Sequence, residues 1–130
     1  MNALFLLFFG LLATLVLETV VFLPLFCRKD GLFIGAFYCV NSATNVTLNV
    51  ILSLVMWLAE ACGTDLRYEA PAAYLFGCFT VLLECAVVWV EYAVLKKFHP
   101  YKNLLAFVAG ANALSAVAGS ALVAFVLSVF

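Results

Sequence analysis

The chain has 130 residues, and only 10% are Asp, Glu, Lys or Arg, where a soluble domain holds about 25%. Hydrophobic residues make up 68%, mean hydropathy is +1.24 and net charge is -1. There are too few charges for a water-facing shell and no basic stripe for phosphates, which excludes a soluble enzyme, a disordered chain and a nucleic-acid binder and leaves an integral membrane protein.

Crossing about 30 Å of hydrocarbon takes roughly 20 apolar residues in a helix. Four apolar runs meet that length, at about 3–26, 32–59, 72–95 and 103–130, separated by 27–31, 60–71 and 96–102. None alternates as a barrel strand would, so the expected fold is all-α: a single transmembrane domain of four helices in a bundle. The first run has no basic leader and no small-x-small cleavage site, and it is too long for a signal peptide. Pro24 falls where it should end or kink the first helix. Trp57, Tyr92 and Tyr101 fall where interfacial aromatic belts belong. Between 106 and 124, twelve of nineteen residues are Ala, Gly or Ser, which lets the fourth helix approach its neighbours closely.

Loop charge sets the expected orientation. Arg28, Lys29, Lys96, Lys97 and Lys102 sit on the two links that share one side, against Arg67 alone on the other. That asymmetry predicts both termini outside and the basic loops cytoplasmic. The outer link, with Glu60, Asp65 and Glu69, is short and mildly acidic. The absence of an organelle signal suits a bacterial cytoplasmic membrane. Cys27, Cys39, Cys62, Cys78 and Cys85 form no C-x-x-C pair, and His99 is the only histidine. Redox and zinc spacing is therefore missing, and the cysteines read as small packing residues.

The informative residues are polar ones inside apolar runs, where an ionisable group costs about 2.5–3.5 kcal/mol. They are Glu18 in the first run; Asn41, Thr44, Asn45 and Asn49 in the second; Glu84 and Glu91 in the third; and Asn112 and Ser115 in the fourth. Counted from the basic-loop ends, Glu18, Asn41 and Asn112 lie at roughly 13–14 Å, and Asn45, Glu84 and Ser115 at roughly 18–19 Å. Glu91 falls one to two turns nearer the basic loops. Helical spacing gathers each set on one face, with Thr14 beside Glu18, Thr80 beside Glu84 and Gly119 beside Ser115. The two halves also share an order, Thr–Glu, basic pair, Asn-x2-Thr/Ser. Their offsets are 66 residues at Glu18/Glu84, 68 at the basic pair and 71 at Asn41/Asn112. That pattern reads as two parallel helical-hairpin repeats.

Carboxylates and amide oxygens are hard ligands, and two carboxylates held together repel unless a proton or cation sits between them. The expected function is a small transporter or channel for a cation, a proton or an ion-coupled solute. Glu18 and Glu84 would bind the ion. Asn41, Thr44, Asn45, Asn49, Asn112 and Ser115 would complete the site, and Glu91 would lead to the cytoplasm. The alternative is a non-catalytic accessory subunit whose polar core docks helices or a larger partner. Protease and hydrolase motifs are missing, so no enzyme and no cofactor are expected. The expected partners are the lipid bilayer, the ion, and a second copy or larger membrane protein.

Overall fold

The computed structural model describes residues 3–27, 31–64, 66 and 70–129, with side chains described for 10–27, 31–64, 66, 70–119 and 121. The described residues form four helices and no strand: α1 (Ala3–Phe26), α2 (Gly31–Ala61), α3 (Ala70–Phe98) and α4 (Leu104–Val129). Two of them, α2 and α3, are long and apolar enough to cross a membrane. Arg28, Lys29, Asp65, Arg67 and Glu69, on which much of the charge asymmetry rests, lie outside the described residues.

Some helix ends differ from the sequence expectation in ways that matter. Helix α1 keeps its expected end: it runs to Phe26 with Pro24 in its last turn, where the Cys27 amide still bonds the Leu23 carbonyl at 3.1 Å. Helix α3 continues through Lys96 and Lys97 to Phe98. Lys96 lays its ammonium 5.3 Å from the Tyr92 ring centroid, so the lysine stem covers apolar helix while its charge stays out. Helix α2 ends in a Schellman turn: Thr64 N–H bonds Ala59 O, Gly63 N–H bonds Glu60 O, and Gly63 takes φ +79°. That backbone needs glycine.

The α3–α4 link is tight. Tyr101 N–H bonds the His99 carbonyl across Pro100, and Asn103, at φ +65°, accepts from the Ala106 and Phe107 amides to start α4. Asn tolerates left-handed backbone where a β-branched residue does not. Asn103→Val should therefore cost about 1–2 kcal/mol and Asn103→Gly almost nothing, read as thermal unfolding in detergent micelles.

Helix α1 packs on α2 and α4, and α3 packs on the same two, while α1 with α3 and α2 with α4 make no close backbone approach among the described residues. The buried faces follow helical spacing. They are Glu18, Phe22 and Leu25 on α1; Phe33, Phe37, Val40 and Asn41 on α2; Glu91 and Leu95 on α3; and Leu104, Val108, Ala111 and Asn112 on α4. The apolar members form one cluster at the end that carries the 27–30 and 99–103 links, sealed by stacked rings. Phe22 and Phe37 lie 4.5 Å apart, and Phe33 meets Tyr101 edge-on at 4.9 Å.

Tyr101 was expected in an interfacial belt. It is buried instead, because the turn at Pro100 folds its ring back against Phe33. The cysteines, read from the sequence as small packing residues, are all five exposed. They occupy outward registers, Cys39 for example standing next to inward Val40. Among the described residues, nothing on the α2–α3-link side of the polar layer is buried. The interior is closed at one end and looser at the other. The outer faces carry large apolar side chains in the open, including Leu32, Tyr74, Leu75, Leu82 and Trp89.

Candidate functional site

Directly above the aromatic cluster lie two enclosed carboxylates, Glu18 on α1 (1% exposed) and Glu91 on α3 (3%). Each takes one donor from α2 and one from α4. Asn41 Nδ2 donates to Glu18 Oε2, and Ser115 Oγ donates to Glu18 Oε1 at 3.3 Å. Thr44 Oγ1 donates to Glu91 Oε1 at 2.5 Å, and Asn112 Nδ2 donates to Glu91 Oε2 at 2.6 Å. The four helix contacts α1–α2, α1–α4, α2–α3 and α3–α4 thus carry one bond each of this network.

Spacing explains why the donors meet the acceptors. Asn41 and Thr44 are i, i+3 on α2, as Asn112 and Ser115 are on α4, so each pair shares one face of its helix. Within a pair the two donors point to different neighbours. Asn41 reaches α1 and Thr44 reaches α3, while Asn112 reaches α3 and Ser115 reaches α1. No lysine, arginine or histidine bonds either carboxylate among the described residues. Asn41 Oδ1 is buried and has no hydrogen-bond partner.

Of the nine residues singled out from the sequence, six therefore come together: Glu18, Asn41, Thr44, Glu91, Asn112 and Ser115. Three stand apart. Asn49 donates to the Asn45 carbonyl at 2.9 Å and to Asn45 Oδ1 at 3.2 Å, so these two bond each other along α2 and not the carboxylates. Glu84 is half-buried and makes no hydrogen bond to a described residue, two turns from Glu91 toward the α2–α3 link. The roles expected of the two α3 glutamates are exchanged in position. Glu91 sits in the layer with Glu18, and Glu84 stands on the looser side.

This exchange also changes the offsets at which the two halves correspond. Buried Glu18 and Phe22 correspond to buried Glu91 and Leu95 at an offset of 73. The buried α2 set Phe33, Phe37, Val40 and Asn41 corresponds to the α4 set Leu104, Val108, Ala111 and Asn112 at an unbroken offset of 71. The bonding repeats as well, since each glutamate takes an amide from its own half and a hydroxyl from the other half. The two-residue difference in offset means that the segment from Glu91 to Asn112 is two residues shorter than the segment from Glu18 to Asn41, the difference lying in the helices that flank the links. The burial pattern carries this correspondence, because few of the paired residues are identical.

No group of three His, Cys, Asp or Glu side chains placed to hold a metal occurs among the described residues. Chemically, the site is two enclosed carboxylates, each hydrogen-bonded to its own amide and hydroxyl, with the aromatic cluster on one side and half-buried Glu84 two turns away on the other. Comparison of the chain with protein-family models, with curated proteins and with solved structures finds no match.

Proposed function

We propose that the chain is a four-helix membrane protein that moves protons, alone or coupled to a small solute, through the Glu18–Glu91 pair. The exposed apolar faces of α2 and α3 suit lipid or a second copy of the chain. The excess of Lys and Arg in the two links at the aromatic end supports an orientation with that end toward the cytoplasm. The observation that carries the reading is the enclosure of two carboxylates with no basic partner among the described residues. Charge buried in this way needs a proton or a cation to balance it. The Oε2 atoms hold amide donors and the Oε1 atoms face hydroxyls that can donate or accept, so a carboxyl proton has an acceptor at Oε1 while few lone pairs are left free for a metal ion. Glu84, on the looser side, lies along the approach.

The test is proton flux through purified protein in liposomes under an imposed pH gradient. Wild-type protein should dissipate the gradient, and Glu18→Gln and Glu91→Gln should each lower the rate about tenfold or more, because Gln keeps the shape but carries no transferable proton. Glu84→Gln should stay within about twofold of wild type, since it alters only a field on the approach. Equal flux in wild type and both buried-site variants would refute the proposal and favour a polar core that only docks helices.

A further inference from the structure

The donors around each glutamate are of two kinds, and they have different freedom. An amide Nδ2 can only donate, whereas a hydroxyl can donate or accept. Glu18 Oε2 faces Asn41 Nδ2 and Glu91 Oε2 faces Asn112 Nδ2, so neither oxygen has an acceptor for a carboxyl hydrogen there. The Oε1 atoms face Ser115 Oγ and Thr44 Oγ1. Both hydroxyls have a second place to put their own hydrogen. Ser115 Oγ lies 3.0 Å from Asn112 O, and Thr44 Oγ1 lies 2.9 Å from Val40 O and 3.2 Å from Asn41 O. Thr44–Asn41 O and Ser115–Asn112 O are the same i, i−3 bond in the two halves.

Resting on the proton-transfer reading above, we infer that Ser115 and Thr44 are positioning residues that fix the proton on Oε1 of Glu18 and of Glu91 and turn over as it leaves. In the neutral state the carboxyl O–H donates to the hydroxyl oxygen, and the hydroxyl donates to its own helix backbone. When the carboxyl O–H breaks, its proton passes to a water molecule entering from the Glu84 side. The hydroxyl hydrogen then swings from the backbone carbonyl to the carboxylate. No covalent bond of Ser115 or Thr44 breaks, and the negative charge left on the carboxylate balances the positive charge carried off by the water.

The amide bonds keep one direction throughout, and they lie within each half, at α1–α2 and α3–α4. The reversible bonds lie between the halves, at α1–α4 and α2–α3. Each proton thus reports at the junction of the two halves and leaves each hairpin fixed. Among the described residues, the charged groups acting on the pair are the glutamates themselves and Glu84, while α2 and α4 face it with the uncharged Asn41, Thr44, Asn112 and Ser115.

Infrared difference spectra across pH, on the full chain in lipid, test this directly. Glu18→Gln and Glu91→Gln assign the two carboxylic C=O bands by deleting them in turn. Ser115→Ala should move the Glu18 band to higher wavenumber and leave the Glu91 band in place, because losing the O–H···O bond strengthens the carbonyl. Thr44→Val should do the reverse. Thr44→Ser and Ser115→Thr, which keep the hydroxyl, should restore the wild-type bands.

A band that ignores its own hydroxyl variant overturns the assignment, as does Thr44→Ser acting like Thr44→Val. A spectrum with no pH-dependent carboxylic band overturns it too. The two readings fail separately. Shifted bands without wild-type flux would sink proton transport and leave the hydroxyl assignment standing, and flux with unmoved bands would do the opposite.

Discussion

Asn112→Leu is expected to lower stability by about 1–3 kcal/mol, and adding Glu91→Leu to it should recover most of that loss. The single change leaves Glu91, 3% exposed, with Thr44 as its remaining donor. The double change removes the enclosed charge together with its partner. Glu91→Leu alone should be the milder single variant, because both abandoned donors have somewhere to turn. Asn112 Nδ2 already reaches Val108 O at 3.1 Å, and Thr44 reaches Val40 O. A thermal unfolding cycle in detergent micelles measures all four states. A double variant no more stable than Asn112→Leu would show that the asparagine packs and does not serve the carboxylate.

The aromatic seal should give a loss of similar size. Phe37 is fully enclosed, with ring centroids of Phe22 and Phe26 at 4.5 and 5.0 Å. In a bilayer the excised atoms would gain no water contact in the unfolded state, so the cost comes from the cavity and its lost dispersion contacts. Phe37→Ala should therefore cost about 2–3 kcal/mol by the cavity relation, below the cost of a core deletion in water. Leu82→Ala, on the open face of α3, should cost almost nothing. The same unfolding measurement reads both, and equal losses would mean that the rings are not a packed seal.

Most of the helix pattern was legible because run length and composition determine it. The ends were less so, and one of them misplaced a residue. A depth measured from Leu95 treats Lys96 and Lys97 as the start of a loop. The helix runs to Phe98, so Glu91 lies about 12 Å from its end, level with Glu18. Three residues of helix thus exchanged the places of Glu84 and Glu91. Composition does not reveal that extension, because it depends on a lysine stem lying along Tyr92. Asn45 and Asn49 were grouped with Asn41 by i, i+4 spacing, but spacing alone does not reveal where neighbouring helices diverge. Tyr101 looked like a surface residue from its hydroxyl and loop position, until the turn at Pro100 carried it inward.

The paired positions of the two halves are not filled alike. Phe22, Phe33 and Phe37 in the first half stand opposite Leu95, Leu104 and Val108 in the second. Two identical hairpins meeting about an axis would have to place the same bulk at both stations, six phenylalanines or none, and a seal built that way leaves either a clash or a gap. Joining the hairpins in one chain removes that constraint. One half can supply the large rings and the other the small partners that make room for them, while the glutamates and asparagines above stay matched. Asymmetry in the plug and symmetry in the polar layer thus coexist on the same four helices, an arrangement open to a fused chain and closed to a homodimer of its halves.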